Sequence, residues 1–491
     1  MENMKKPFFL TTTLPYVNAP LHMGHALEFV RADTIARYKK LIGYDVYFNT
    51  GTDEHGLKIF EKANGQNLVP QKFVDLGFET FKEQLKMFGV DSSIIHYIRT
   101  TDEKHIKIAQ NFWKRVSQNG YIYKKTYEAK YCVGCESEKT DSELINGECT
   151  EHIGTPLKII NEENYFFKYS LFGDKLLKFY EEHPNFVIPE FRLNEIVNFV
   201  KAGLQDFSIS RLKEKMPWGI PVPGDDNQVM YVWFDALVNY ISTLADGGVS
   251  TLDELINSSN FKKYWVEGTP TQYCGKDNTR FQAAMWQAML MAADLPNSHQ
   301  IIVNGFITGE GGIRMSKTLG NGVDPKLIVD EYGTDALRYF LLREVGSFED
   351  SPFTIERFKD SYNSGLANGL GNLSSRILTL SEKYIPEGFI LDRGFIFIPQ
   401  VPESMDNFKI HNAINAIWNL IDILDKYIQE TQAFKVIKED EEKGKKLIIT
   451  YVTRLYDIAK SLEPFLPETS LKIQELIKQN KKPESPLFLR K

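Results

Sequence analysis

Residues 7–56 read PFFLTTTLPYVNAPLHMGHALEFVRADTIARYKKLIGYDVYFNTGTDEHG. Phe8 to Thr13 is β-prone, the proline-and-asparagine turn LPYVNAP follows at 14–20, and apolar residues then recur at helical spacing to a stop at Gly43. The next apolar run ends in the polar cluster Gly51-Thr52-Asp53, as a parallel strand does when it delivers polar groups to its carboxyl end. Strand, helix and strand at these lengths make a βαβ unit. A comparable set returns much later, as VMYVWFDALVNYISTL (229–244), TQYCGKDNTRFQAAMWQAML (271–290) and HQIIVNGFIT (299–308). Together the two sets predict an α/β protein with a doubly wound, Rossmann-type parallel sheet and a ligand at the strands' carboxyl ends.

The residues between and after these halves differ in kind. From 119 to 225 lie a cysteine cluster, the run ENYFFKYS and the Pro/Gly-rich PWGIPVPGDD, which together mark an inserted module. Beyond Pro325 the apolar spacing is almost wholly helical, so a helical bundle is expected there. The expected division is 1–118 for the first half of the sheet, 119–225 for the insert, 226–325 for the second half, 326–365 for a linker and 366–491 for the bundle. A chain of 491 residues needs several cores. With 42% hydrophobic residues, 25% charged residues and a net charge of −7, nothing draws the whole molecule to nucleic acid, and DNA is not expected as a partner. Three threonines and Pro15 interrupt the first apolar run, and no stretch reaches the ~18 apolar residues of a membrane span. A cytoplasmic protein without a membrane partner is therefore expected.

Two stretches carry charge chemistry. His22 and His25, at i and i+3 in the first turn of a helix, share a face with backbone N–H groups and the positive end of the helix dipole, a place suited to phosphate. Two such histidines also make ordinary helix caps. The glycine-flanked loop GGIRMSKTLGN (311–321) sets Arg314 and Lys317 three apart, which alone reads as a solvated basic turn. The cysteines speak more directly. In YCVGCESEKTDSELINGECTEH (131–152), Cys132 and Cys135 form C-x2-C, and Cys149 with His152 forms C-x2-H, a Cys3His set for one structural zinc with no open coordination place. The fourth cysteine, Cys274, reads as a packed strand residue.

HMGH and RMSKT resemble the paired signatures of class I aminoacyl-tRNA synthetases, and LPYVNAPLHMGH with YVWFDALVNY resembles the methionyl branch, nearly the whole chain matching in order. The knuckle resembles the connective-peptide insert of its single-zinc subgroup. The resemblance implies a ligase that forms methionyl-adenylate from L-methionine and ATP, then passes the acyl group to the terminal adenosine of methionine tRNA, initiator and elongator alike. Catalytic roles would fall to His22, His25, Arg314 and Lys317, with Mg²⁺ carried by ATP. ATP would meet His22, Gly24, His25, Gly275, Asp277, Ile307 and Lys317. The methionine pocket would comprise Asp53 for the ammonium, with Leu14, Tyr16, Trp233, Ala236, Tyr240, Asn278 and Gln282 about the side chain. Residues 326–365 would contact the tRNA stem, and Asn372, Arg376 and Phe434 would read the anticodon.

The chain departs from the family pattern at four of these places. Asn278 and Gln282 stand where many relatives have Ile and His, Arg314 replaces the first signature lysine, and Phe434 after Ala433 replaces a proline-tryptophan pair. Leucyl, isoleucyl and valyl enzymes carry a larger editing insert, and a cysteinyl enzyme would hold its metal in the amino-acid pocket. A class I synthetase for another amino acid, a nucleotidylyltransferase using H-x-G-H, and a tRNA-binding paralogue without activity are the competing readings. A monomer is expected, since nothing resembling a dimerising module follows the bundle.

Overall fold

β1 (Pro7–Thr12) is buried along almost its whole length, with Phe9 and Leu10 fully covered, as befits a strand packed on both faces. α1 (Met23–Leu41) follows it in the chain, then β2 (Asp45–Thr52) and, after two further helices, β3 (Ile95–Arg99). The computed structural model describes residues 5–135, 137–139, 144–313, 322–388, 395 and 397–491. They fall into two compact units, one of Met1–Leu21, Tyr44–Gln84 and Ser92–Val303, the other of His22–Gly43, Leu85–Asp91 and Asn304–Lys491.

The first unit is built on a six-stranded sheet in the order β3, β2, β1, Thr271–Gly275, Gln300–Asn304, Val187–Ile188. β1 pairs in parallel with β2, from Pro7 opposite Asp45 to Thr11 opposite Asn49, and with the 271–275 strand, from Leu10 opposite Thr271 to Thr12 opposite Tyr273. Strands from the early and late parts of the chain thus meet at β1. In such a sheet the order reverses there, and a crevice opens at the strands' carboxyl ends. Thr12 Oγ1 donates to Thr50 Oγ1 at 2.7 Å across that edge.

The insert adds an antiparallel sheet. Ile122–Cys132 runs against Lys158–Phe167, with Ser137–Lys139 on one edge and Phe207–Ser208 on the other. Much of the chain's aromatic content goes into this unit's core, where Phe112 packs on Trp286 (5.9 Å between centroids) and Trp113 on Phe234 (5.4 Å).

The second unit is helical. It contains α1 and a bundle including Asn372–Tyr384, Ile410–Thr431, Glu441–Leu462 and Pro467–Gln479. Local signals set the helix ends: Asp440 accepts from the Lys443 N–H at 2.9 Å, Pro467 opens the last of these helices, and Gln432 stops Ile410–Thr431 by turning to φ 45°. Among the described residues no helix is long and apolar enough to cross a membrane. The parallel sheet and the helical C-terminal region are those expected from the sequence.

Candidate active site and metal cluster

His22 caps α1 with its ring: Nδ1 accepts from the backbone N–H of Gly24 (3.1 Å) and of His25 (3.3 Å). His25 answers, its Nδ1 accepting from the N–H of His22 at 3.2 Å, and the two rings stack 3.8 Å apart. This is a capping box made of two imidazoles. Capping and phosphate chemistry are not rivals here. Since both Nδ1 atoms accept from backbone donors, each neutral ring carries its proton on Nε2. Gly24 suits the same geometry, because a Cβ there would lie a tight 3.0 Å from the His22 ring. His22, Gly24 and His25 belong to the second unit, as does Ile307, paired in parallel with Ser351. Arg314 and Lys317 lie outside the described residues.

The first unit holds the other proposed contacts. Asp53 is 5% exposed just past β2, its N–H donating to the Pro15 carbonyl at 3.1 Å and its backbone bridged to Tyr16. Glu54, fully buried beside it, clamps this loop. Its Oε1 accepts from Thr52 (2.6 Å) and Arg99 (2.8 Å), its Oε2 from Thr101, and its carbonyl from the Trp218 indole at 2.6 Å. Trp233 and Phe281 stack face to face at 3.8 Å, and the Trp233 Nε1 is buried without a hydrogen-bond partner. Ala236, Tyr240 and Gln282 are buried, and Gln282 Nε2 donates to the Tyr240 hydroxyl. Asn278 is half-buried, 3.4 Å from the Asp277 carboxylate. Gly275 ends its strand, and a Cβ there would lie 2.9 Å from the Asp277 carboxylate, which would have to shift.

Residues that sequence reasoning passed over tie these pieces together. Asp235 is fully buried, with Oδ2 2.7 Å from His55 Nδ1 and Oδ1 2.8 Å from His105 Nε2; His105 Nδ1 in turn meets Ser242 Oγ at 2.8 Å. Burial works to raise the Asp235 carboxyl, but the two histidines outweigh it and hold the group below its ordinary value. The loop bearing Asp53 is thereby joined to the helix bearing Trp233. His55 and Asp235 both stand inside motifs already singled out, GTDEHG and YVWFDALVNY, which was the available signal.

Cys132, Cys135, Cys149 and His152 converge as their spacing implies, all four ligand atoms lying within 4.8 Å of one another. Cys135 Sγ is 3.5 Å from Cys149 Sγ and 3.2 Å from His152 Nδ1, near the ~3.8 Å edge that a tetrahedron with ~2.3 Å metal–sulfur bonds requires. Burial raises the Cys135 thiol. At Cys149 burial acts the same way, but backbone N–H groups of Glu151 and His152 overcome it and lower the thiol. A Cβ on Gly134 would lie 2.4 Å from the His152 ring, so glycine lets the imidazole approach. Donor type, number and spacing fit a closed zinc site.

In the second unit, Asn372 and Arg376 line a cavity of about 640 Å³ with Asn368, Ser375, Thr379, Leu380 and Asp425. Arg376 is ion-paired to Asp425, which the sequence did not suggest. Phe434 is 42% exposed on the helix Ala433–Glu439 and does not line this cavity.

Comparison with known proteins gives the family. The family model of class I (M) tRNA synthetases matches residues 8–154 and 138–378. The chain is 44% identical over 492 residues to the methionine-tRNA ligase of Caldanaerobacter subterraneus subsp. tengcongensis, covering 96% of this chain and 74% of that protein. It is 36% identical over 488 residues to that of Brucella suis biovar 1, covering 96% and 92%. Among solved structures it is similar to Mycobacterium tuberculosis methionyl-tRNA synthetase in complex with methionyl-adenylate, with a TM-score of 0.86, 34% identity, and 96% and 94% of the two chains covered. Both the fold and the sequence along almost its full length therefore place this chain among the methionyl-tRNA synthetases, in the class I tRNA synthetase family.

Proposed function

We propose that this chain is a methionine-tRNA ligase, activating L-methionine with ATP and charging methionine tRNA, with its chemistry carried by the residues named above. The observation that carries the reading is family membership along 96% of the chain together with a paired-histidine helix start whose Nε2 protons suit phosphate.

The methionine carboxylate attacks the α-phosphorus and pyrophosphate leaves; the 2′-hydroxyl of the terminal adenosine then attacks the adenylate's carbonyl and AMP leaves. Such displacement depends on positioning and charge stabilisation. His22 and His25 donate from Nε2 to the polyphosphate, and Arg314 and Lys317 add fixed charge. Asp53 receives the ammonium, and Trp233 and Tyr240 wall the thioether. Mg²⁺ bound with ATP would neutralise phosphate charge. One zinc, held by Cys132, Cys135, Cys149 and His152, would fold the tip of the insert 119–225. Residues 326–365 serve as the stem-contact linker, and Asn372, Arg376 and Phe434 in the helical domain 366–491 meet the anticodon of initiator and elongator tRNAs. The working state is a cytoplasmic monomer.

The test is amino-acid-dependent ATP–pyrophosphate exchange without tRNA, comparing methionine with leucine, isoleucine, valine, cysteine and norleucine. Exchange led by methionine is expected; exchange led by another amino acid, or none, sinks the reading. In the same assay Lys317→Ala should cost about 10²–10³-fold in kcat with little change in the methionine KM, the usual loss when one transition-state donor is removed. Metal analysis should find one zinc per chain, and chelation should release hydrogen-exchange protection across 122–167 while the parallel sheet stays protected. Asn372→Ala combined with Arg376→Ala should raise the KM for tRNA about tenfold or more, as loss of base-edge contacts does; an unchanged KM would remove them from anticodon reading.

A further inference from the structure

The loop from Pro15 to Leu21 carries Tyr16 and is joined along one side to Asp53, whose N–H donates to the Pro15 carbonyl and whose backbone pairs with that of Tyr16. Its other side meets the helices Leu57–Gly65 and Pro70–Met87, where Tyr16 and Val17 pack on the small core of Ile59, Ala63, Phe73 and Val74. Phe73, Gly77, Thr80, Phe81 and Gln84 of the second helix line a cavity with the loop, and their spacing marks a single helix face. That cavity, of about 320 Å³, leaves the seam unfilled, so close packing does not hold the loop along its length. Local contacts hold it instead. Gln84 Oε1 accepts from the Leu21 N–H at 3.1 Å, and Lys62 Nζ donates to the Asn18 carbonyl at 2.5 Å. Val17 presses on Gly77, where a Cβ would lie 2.6 Å from the Val17 Cβ and 3.1 Å from the Val17 carbonyl oxygen. Glycine weakens a helix interior, and this close approach is the packing reason for one in the middle of Pro70–Met87. The atoms met there belong to the Val17 backbone and its branch point, so a side chain at 77 displaces the loop itself.

We infer that this face of the helix Pro70–Met87 is the seat of the 15–21 loop, with Gly77 and Gln84 as positioning residues for methionine binding: they fix the loop and, through it, the places of Tyr16 and Asp53. The inference rests on the assignment of Tyr16 and Asp53 to methionine. Gly77 sets how closely the loop approaches the helix, and Gln84 pins its far end at Leu21. With a cavity beneath it, a loop that loses either contact has room to move, and a displacement of well under 1 Å at binding groups is enough to weaken a ligand's hold.

The experiment is pyrophosphate exchange with methionine varied at saturating ATP, using the unaltered chain, Gly77→Ala, Val17→Gly, the double variant Gly77→Ala/Val17→Gly, Gln84→Met and Gln84→Glu. Gly77→Ala should raise the methionine KM about three- to tenfold with little change in kcat, although alanine is the better helix former. Val17→Gly removes the Cβ that the new methyl group meets, so the KM of the double variant should fall back to that of Val17→Gly alone. Gln84→Met takes the acceptor from the Leu21 N–H and should raise the KM by a similar factor, whereas Gln84→Glu keeps an acceptor and should leave it near that of the unaltered chain. A merely structural role would lower the active fraction, and hence kcat, at an unchanged KM. That result, unchanged kinetics in both Gly77→Ala and Gln84→Met, or a double variant no better than Gly77→Ala, would overturn the inference. An unaltered chain that fails to exchange with methionine would instead overturn the function on which it rests.

Discussion

Asp53→Asn should lower kcat/KM for methionine in pyrophosphate exchange by about 10²–10³-fold, mainly through KM, because removing one partner of a buried, hydrogen-bonded charge pair costs roughly 2–5 kcal/mol. The substitution keeps the size and one acceptor of the side chain and removes only its charge. The backbone at this position is held independently, by the Asp53 N–H to the Pro15 carbonyl and by Glu54 with its three side-chain donors. Loss of activity at an unchanged melting temperature would therefore report the charge and not the loop. Calorimetric titration with methionine supplies the second reading, and an unchanged affinity would mean that the ammonium is held elsewhere.

Arg338→Met should cost the second unit about 3–5 kcal/mol of stability, the usual consequence of breaking a buried ion pair from one side. Arg338 is wholly buried, 2.8 Å from the Asp33 carboxylate on α1. Its remaining donors reach the carbonyls of Phe465 (2.8 Å), Pro464 (3.1 Å), Phe88 and Gly89 (3.3 Å each). One guanidinium thus joins α1, the 85–91 segment, the helix Thr334–Tyr339 and the turn before Pro467. Burial lowers its pKa and the Asp33 carboxylate opposes that. Methionine fills the space, leaves Asp33 with Arg37 and the Asp91 N–H, and takes the Arg338 donor from the carbonyls of Phe465, Pro464 and Phe88, while that of Gly89 keeps the Arg37 guanidinium. Scanning calorimetry should show the unit's transition lowered by about 10 °C. A transition that does not move would show the hub to be dispensable.

Motifs that lie along one stretch of chain are legible in residue order alone. His22 and His25 share a helix face because of their i, i+3 spacing, and the four zinc ligands fall within 21 residues of each other, where a short loop is bound to bring them together. The parallel sheet follows from strand and helix periods that depend on local residue order. Spacing does not say whether the two histidines cap or bind; the structure shows that their Nδ1 atoms cap the helix.

Contacts between distant parts of the chain have no such signature. His55 and Asp235 stand 180 positions apart, and Arg31 reaches the Ser347 carbonyl across 316. By itself the sequence determined the family, the parallel sheet and the Cys3His set, because those depend on residue type and short-range spacing. Only the tertiary structure decided the Asp235 bridge, the Arg338 hub and the Arg376–Asp425 pair. A buried hydrogen bond depends on which groups the completed fold brings within about 3 Å and shuts off from water, and no local period encodes that.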